Sequence, residues 1–211
     1  MKYSVIVLCA GSGTRTGLKY NKIFHQIDGI TVYQKTMGLF LKDSRCKQII
    51  VVTKEQEIEN LKKILVDEKI EYIYGGNERQ DSVYNGLQLV NEEYVLIHDG
   101  ARPYLQKQNI EDILTALQQA EACLLMVPCK DTIKEVKDGI VQKTLPREIL
   151  MQAQTPQAFK TILIKEAYQK GKDNHFQATD DCSLVEQFMN CKIQAVIGSY
   201  NNIKITTKED L

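Results

Sequence analysis

Glycines and positively charged side chains occur together between Ala10 and Lys22, in the stretch AGSGTRTGLKYNK. Glycines let backbone N–H groups approach phosphate oxygens, and Arg15 and Lys22 add two cations seven residues apart. The spacing differs from the dinucleotide-binding pattern G-x-G-x-x-G, and Gly17 is followed by Leu18 rather than by the lysine of a Walker loop. We therefore interpret the stretch as a loop that folds over a triphosphate. A glycine turn with a purely steric role is the alternative.

A second glycine motif, GGNERQDSV, spans residues 75–83. Its glycine pair is predicted to end a strand. A helix is predicted to begin near Ser82, whose hydroxyl and neighbouring N–H groups suit a base or a ribose. An ordinary helix cap formed by Asp81 or Ser82 would give the same pattern.

The motif HDGARP, residues 98–103, follows an apolar segment typical of a buried strand. Asp99 stands where that strand reaches solvent, and it is a candidate ligand for Mg²⁺, which prefers carboxylate and phosphate oxygens. Arg102 suits a second phosphate through its planar guanidinium. A structural turn role for Asp99 is the alternative. His98 is interpreted as a histidine bonded to backbone rather than as a general base.

Later motifs carry further cations and hydroxyls. They are DTIK (residues 131–134), Arg147, QTPQAF (154–159), TDD (179–181) and NIKIT (202–206). Each is a weak signal alone, but together they provide groups suited to a polyol phosphate.

The elements that must position these residues follow from apolar periodicity. The candidate strands are Tyr3–Leu8, Gln48–Thr53, Glu71–Tyr74, Tyr94–His98, Ala122–Pro128 and Lys192–Gly198. The candidate helices are Val32–Leu41, Gln56–Val66, Ser82–Val90, Ile110–Ala120, Phe159–Lys170 and Ser183–Met189. Because strands and helices alternate and the strands are continuous apolar runs, we predict an α/β fold with a largely parallel sheet covered on both faces. Ligands bind beyond the carboxyl ends of such strands.

Residues from Lys130 to Met151 depart from this alternation, mixing charged and β-forming residues around Lys137-Asp138-Gly139. We predict a β-hairpin that projects as an arm. Because a two-stranded ribbon is only marginally stable alone, we expect it to pack on a second subunit. A surface hairpin folded onto its own domain is the alternative.

Length and composition limit the functional classes. The 211 residues fit one domain, residues 1–211, and 27 basic residues balance 27 acidic ones, which argues against nucleic acid or an anionic membrane as partner. No apolar segment approaches the ~20 residues of a membrane span. The six cysteines lack the spacing of a disulfide framework, so we expect reduced, mostly buried thiols and a cytoplasmic protein.

The joint order of GGxxRQDSV, HDGARP, DTIK, QTPQAF, TDD and NIKIT resembles the 2-C-methyl-D-erythritol 4-phosphate cytidylyltransferase family, over nearly the whole chain. The resemblance implies a homodimer with a Rossmann-like core, a mostly parallel sheet with helices on both faces, and an arm exchanged between subunits. It implies CTP and a small polyol phosphate as substrates. Asn21 stands where the family usually has proline, so the loop before Lys22 is expected to lack the rigidity of proline.

The resemblance also implies roles for individual residues. The groups that would hold CTP are Ala10, Gly11, Ser12, Gly13, Gly76 and Ser82. Arg15 and Lys22 would be the catalytic residues that grip its phosphates, and Asp99 would hold Mg²⁺ or another divalent cation. The polyol phosphate pocket would be lined by Asp99, Arg102, Thr132, Arg147, Thr155, Thr179 and Lys204, from both subunits.

Three other functions are alternatives. Ribitol 5-phosphate cytidylyltransferases share most of these motifs, but Gln80-Asp81-Ser82 favours the methylerythritol substrate. A dinucleotide-dependent oxidoreductase would need an acidic residue closing the second strand, which instead ends in Val52-Thr53-Lys54. A non-catalytic nucleotide-binding regulator would bind CTP without releasing pyrophosphate.

Overall fold

The computed structural model describes residues 1–11 and 16–211. The strands are β1 (Tyr3–Leu8), β2 (Gln26–Ile27), β3 (Ile30–Thr31), β4 (Cys46–Thr53), β5 (Ile70–Tyr74), β6 (Tyr94–Asp99), β7 (Ala122–Pro128), β8 (Lys134–Lys137), β9 (Ile140–Thr144), β10 (Met151–Lys160) and β11 (Ile193–Ile197). The α-helices are α1 (Val32–Lys42), α2 (Ile58–Ile64), α3 (Arg79–Leu89), α4 (Lys107–Ala116), α5 (Thr161–Asp173) and α6 (Asp181–Phe188). The predicted alternation of strands and helices is confirmed.

Seven strands form the central sheet, in the order β11-β7-β10-β6-β1-β4-β5. Six of them are parallel, and Val5 of β1 pairs with Ile49 on one side and Leu96 on the other. The exception is β10, which is antiparallel to both β6 and β7. Strand β10 was not predicted from sequence, because its first half is polar and Phe159 was assigned to the following helix. Phe159 is instead buried in the strand.

Helices cover both faces of the sheet, as predicted, because successive side chains of each strand point to opposite faces. Val5 and Val7 belong to an apolar core under α1, α2 and α4, which includes Tyr33, Phe40, Leu61 and Ile113. Ile6 belongs to a second core under α3, α5 and α6, which includes Leu87, Ile164 and Leu184. Each such side chain stabilises the fold by about 1.5–3 kcal/mol when fully buried.

Helix α3 begins earlier than the sequence predicts. Its first residue is Arg79 rather than a residue near Ser82. The carboxylate of Asp81 accepts a hydrogen bond from the backbone N–H of Glu78 at 3.0 Å, which caps the first turn. Ser82 therefore lies inside the helix, one turn beyond its start.

A hairpin lies where the arm is predicted. Strands β8 and β9 pair through Lys137 and Ile140, and both turn residues, Asp138 and Gly139, have positive φ angles of 51° and 77°. Such a turn favours Asp-Gly, because both central residues must be left-handed. All residues of β8 and β9 are exposed.

Two further expectations concern thiols and membranes. All six cysteines are free; five are buried and Cys191 is partly buried. In the described part of the chain, no helix combines the length and the apolar character needed to cross a bilayer.

Candidate active site

A cavity of about 780 Å³ opens where β1, β4, β5 and β6 end, as expected for a parallel sheet. Its size is typical of small-molecule sites. Seven predicted site residues line it: Ala10, Gly11, Lys22, Gly76, Ser82, Asp99 and Lys204. The predicted site residues Ser12, Gly13 and Arg15 lie outside the described residues.

The glycine pair after β5 is held against the first turn of α3. The Ser82 hydroxyl accepts a hydrogen bond from the Gly76 N–H at 3.0 Å and donates one to the Glu78 carbonyl at 3.1 Å. A Cβ at Gly75 would lie 2.7 Å from the Cβ of Ala10, and one at Gly76 only 2.1 Å from that of Asp81. Both positions therefore require glycine, which brings the β5 turn close to the end of β1.

Lys22 opens a short 3₁₀ helix, Lys22–Phe24, and lines the cavity while being only 9% exposed. Ile23, the next residue, is 2% exposed and belongs to the core under α1. The buried neighbour fixes the backbone from which the Lys22 side chain extends toward the cavity.

Three cations surround one carboxylate at the end of β6, and we name Asp99, Arg79, Arg102 and Lys204 the Asp99 cluster. The Lys204 ammonium lies 2.8 Å from Oδ2 of Asp99. The Nε atoms of Arg79 and Arg102 lie 3.6 and 3.7 Å from its carboxylate. Burial alone would raise the pKa of Asp99, but Lys204, Arg79 and Arg102 outweigh it and hold that pKa well below its usual range. Asp99 is therefore an anion at neutral pH.

Arg79 is oriented by a second carboxylate, that of Asp181 in the first turn of α6. Nη1 and Nη2 of Arg79 donate to its two oxygens at 2.9 and 2.7 Å. Asp181 is completely buried and also accepts a hydrogen bond from Tyr168 at 2.5 Å. Burial alone would lower the pKa of Arg79, but Asp181 and Asp99 raise it above the usual value. Arg79 therefore keeps its charge while lining the cavity.

Arg102 and Lys204 are held by the segment after β11. Nη1 of Arg102 donates to the Asn202 carbonyl at 2.6 Å, and the Ile205 N–H donates to the Ala101 carbonyl at 2.9 Å. Burial lowers the pKa of Arg102, an effect that Asp99 opposes. The NIKIT motif thus places Lys204 beside Asp99 although the two are far apart in sequence.

His98 is fully buried behind Asp99. Its Nδ1 lies 3.0 Å from the Thr155 hydroxyl and its Nε2 lies 3.3 Å from the Arg102 carbonyl. Burial lowers the pKa of His98 to about 4. The imidazole is therefore neutral at pH 7 and faces protein groups, in agreement with its interpretation as a backbone-bonded histidine.

Five residues predicted for the polyol phosphate pocket do not line this cavity: Arg102, Thr132, Arg147, Thr155 and Thr179. Thr155 is buried, and its hydroxyl accepts a hydrogen bond from the Asp99 N–H at 3.0 Å, so it supports the strand end from behind. Thr132 and Arg147 are exposed near the arm, where Arg147 donates to the Lys130 carbonyl at 2.9 Å. Thr179 is exposed just before α6.

The donors present suit a magnesium ion that is shared with a ligand. Over residues 1–11 and 16–211, no group of three or more His, Cys, Asp or Glu side chains forms a complete protein site. Mg²⁺ commonly binds through one or two carboxylates, substrate phosphates and several waters. Asp99 provides one ionised carboxylate on the cavity wall, which fits that mode of binding.

Two functional residues were missed by sequence reasoning. Arg79 stands in the GGNERQDSV motif and Asp181 in TDD, but neither was assigned a role. Their contact joins residues 102 positions apart, which no local pattern reveals. The arrangement as a whole favours a small, highly charged anion, because Lys22, Arg79 and Lys204 line the cavity around the ionised carboxylate of Asp99.

Comparisons with known proteins agree with this chemistry. Over residues 3–211 the chain matches the family described as IspD: 2-C-methyl-D-erythritol 4-phosphate cytidylyltransferase. It is 45% identical to the enzyme of that name from Bacillus mycoides (strain KBAB4), covering 99% of this chain and 94% of the relative. The 4-diphosphocytidyl-2C-methyl-D-erythritol synthase structure from Anaerococcus prevotii DSM 20548 has a TM-score of 0.89 and 34% identity, covering 99% and 94% of the two chains. The Francisella tularensis cytidylyltransferase structure has a TM-score of 0.86 and 30% identity, covering 100% and 96%.

Proposed function

The chain belongs to the 2-C-methyl-D-erythritol 4-phosphate cytidylyltransferase family, and we infer that its cavity joins CTP to 2-C-methyl-D-erythritol 4-phosphate. The products are 4-diphosphocytidyl-2-C-methyl-D-erythritol and pyrophosphate, in the non-mevalonate route to isoprenoid precursors. The observation that carries this function at the level of the site is the convergence of Lys22, Arg79 and Lys204 on one cavity with Asp99.

The reaction is a displacement at phosphorus. A phosphate oxygen of the polyol phosphate attacks the α-phosphorus of CTP, and the bond to the bridging oxygen of the β-phosphate breaks. Because the second pKa of a phosphate monoester is near 6, the nucleophile is largely a dianion at pH 7 and needs no general base. The neutral, enclosed His98 agrees with such a mechanism.

Catalysis then depends on holding two anions together. Charge grows on the departing pyrophosphate, so cations placed around the triphosphate lower the barrier. We assign this role to Lys22 together with Arg15, and nucleotide binding to Gly76, Ser82 and the residues from Ala10 to Gly13. Arg102 and Lys204 are assigned to the polyol phosphate.

Asp99 would hold Mg²⁺ or another divalent cation. When bound, the cation would neutralise oxygens of the triphosphate, a contribution worth several kcal/mol in metal-dependent enzymes. The residues around Asp99 have a separate part: Arg79, Arg102 and Lys204 keep its carboxylate ionised and oriented.

The arm provides the surface for a proposed homodimer. Val136, Ile140 and Val141 are 54%, 66% and 57% exposed on a two-stranded ribbon, which is marginally stable without a partner. Packing of the arm on a second subunit would cover these side chains. It would also carry Thr132 and Arg147 toward the partner's cavity, where they would meet the polyol phosphate.

Two further proposals concern the cellular compartment and the acceptor substrate. Free, buried thiols suit the cytoplasm, where disulfides are rare. Ribitol 5-phosphate as the natural acceptor is not favoured, because the family and the named relatives act on the methylerythritol substrate.

The test is a pyrophosphate-release assay with Mg²⁺ that crosses the four nucleoside triphosphates with methylerythritol 4-phosphate and ribitol 5-phosphate. We expect release only with CTP and the methylerythritol acceptor. Faster release with ribitol 5-phosphate would overturn the substrate. CTP binding without any release would identify a regulator instead of an enzyme.

A further inference from the structure

A buried amide precedes Lys22. Asn21 is only 5% exposed, and its side chain joins three parts of the molecule. Nδ2 donates to the Cys9 carbonyl at 2.7 Å and to Oε2 of Glu57 at 3.0 Å. Oδ1 accepts the Ile23 N–H at 3.3 Å, at the start of the 3₁₀ helix that contains Lys22. Both donors and the acceptor of this amide are thus used.

Glu57 extends this connection to a second strand of the sheet. The same oxygen, Oε2, accepts a hydrogen bond from the Thr53 hydroxyl at 3.0 Å. Thr53 is the last residue of β4, and Cys9 directly follows β1. The Asn21–Glu57 pair therefore ties the Lys22 helix to the ends of two adjacent parallel strands, at the edge where the cavity opens.

We propose that Asn21 and Glu57 are positioning residues that hold the Lys22 backbone in register with the sheet. A lysine side chain is a flexible four-carbon stem, so the place its ammonium reaches depends on how firmly its backbone is anchored. The backbone bonds from Phe24 to Asn21 and from His25 to Lys22, each 3.0 Å, close only this short helix on itself. The Asn21 side chain connects the helix to the strands. The inference rests on the catalytic role proposed for Lys22.

The fold does not depend on this pair alone. Ile23 is 2% exposed and packs in the core under α1, and Glu57 is only partly buried. Loss of the pair should therefore leave a folded protein in which Lys22 is less well placed. The two roles are separable by experiment, because poor placement lowers kcat, whereas loss of the fold lowers the amount of active enzyme.

The sharpest variant is Asn21→Asp, which has the same shape and keeps the acceptor for the Ile23 N–H. A carboxylate oxygen then faces the Cys9 carbonyl and the Glu57 carboxylate, so two attractive contacts become repulsive. We expect kcat to fall about tenfold, within the range measured for removal of supporting groups, while the KM for CTP changes less than twofold. Adding Glu57→Gln supplies an amide donor to the new carboxylate and should recover part of the lost kcat.

A double-mutant cycle with Lys22→Ala decides whether the effect acts through Lys22. If Asn21 and Glu57 position Lys22, then Asn21→Asp should lower kcat in the wild type but not further in Lys22→Ala, with the slow residual turnover followed by radiolabelled CTP. An equal loss in both backgrounds would overturn the proposal, as would an unchanged kcat in Asn21→Asp. Absence of turnover in the wild type would instead count against the proposed function.

Two further variants distinguish an effect on Lys22 placement from a loss of folded protein. Glu57→Ala removes the carboxylate that links Asn21 to Thr53, at a partly buried position. We expect an intermediate loss of kcat that also disappears in the Lys22→Ala background. Glu59→Ala, two residues away on α2 and exposed in a pair with Lys62, is the matched control and should leave kcat unchanged. Urea unfolding of each variant establishes that the compared proteins are folded.

Discussion

Ion pairs gather at both ends of the parallel sheet, but the two groups differ in their charge balance. At the amino end, Arg45, Asp43 and Glu111 form what we name the Arg45 cluster. Arg45 donates to Asp43 at 2.8–3.2 Å and to Glu111 at 2.6 and 2.9 Å. One cation thus meets two carboxylates through short bonds that use its whole guanidinium.

The Asp99 cluster at the carboxyl end has the opposite balance. Counting Asp181, three cations meet two carboxylates, and Lys22 lies on the same cavity. Two of the contacts to Asp99 are 3.6 and 3.7 Å long, which is beyond ordinary hydrogen-bond length. The difference indicates that the guanidinium of Arg45 is fully used by carboxylates of the protein, whereas the Asp99 cluster has positive charge left for an anion.

The largest expected effect tests whether the positive charge on the cavity acts in catalysis. We expect Lys22→Ala to lower kcat by ~10² or more, by analogy with removing one transition-state donor. The measurement is steady-state pyrophosphate release at saturating CTP and acceptor. Lys62→Ala, which removes an exposed lysine from α2, is the charge-matched control and should behave as the wild type. A near-normal kcat in Lys22→Ala would refute the role.

Asp99→Asn should come next in size. Replacing the carboxylate by an amide removes the proposed cation ligand, so we expect kcat/KM to fall at least about tenfold, the lower bound for groups that support metal sites. The Mg²⁺ concentration that gives half the maximal rate should rise. A calorimetric titration of Mg²⁺ into the complex with CTP gives a readout that does not depend on turnover. An unchanged Mg²⁺ requirement would remove Asp99 from the metal site.

A matched pair of arginine variants compares the two clusters directly. Arg79→Met leaves the buried Asp181 carboxylate without its cationic partner. We therefore expect a loss of about 3 kcal/mol in unfolding free energy and about a tenfold loss in kcat/KM. Arg45→Met should cost less, about 1–2 kcal/mol, and leave kcat/KM unchanged, because Glu111 is 37% exposed and Asp43 keeps its hydrogen bond from Tyr3.

Adding Asp181→Asn to Arg79→Met separates stability from activity. Removing the unpaired carboxylate should restore much of the unfolding free energy, measured in urea, without restoring kcat/KM. Recovery of both quantities would mean that Arg79 acts only by stabilising the fold.

The smallest effect concerns pH and the Arg45 cluster. Burial alone would raise the pKa of Asp43, but hydrogen bonds from Arg45 and Tyr3 lower it below its usual value. Its stabilisation is therefore complete above the unfolded pKa near 4 and is lost as the pH falls below it. The difference in unfolding free energy between wild type and Asp43→Asn should be constant from pH 5 to 7 and shrink toward pH 3. A difference that does not change with pH would exclude this linkage.

The parallel part of the sheet could be predicted from sequence because each strand is a continuous apolar run. β10 could not, since its Gln, Thr and Pro residues carry no such pattern and its partners lie on both sides in space. The cavity-lining positions Gly76, Ser82, Asp99 and Lys204 were found from their motifs.

Other positions depend on contacts between distant segments. Thr155 was assigned to a pocket but lies behind Asp99, because the buried hydroxyl supports a strand end. Arg79 was overlooked because its partner, Asp181, follows about a hundred residues later. Asn21 was expected to loosen its loop, yet its side chain makes three hydrogen bonds that no proline could form.

The reversed direction of β10 has a consequence for engineering. Its first residue, Met151, pairs with Pro128 at the end of β7, and the Cys129 N–H bonds to the Leu150 carbonyl at 3.0 Å. The chain thus leaves and rejoins the sheet at neighbouring points on one edge. The length of the hairpin between them can therefore change without altering the order of the strands, and its exposed Asp138-Gly139 tip is a place to insert a peptide tag.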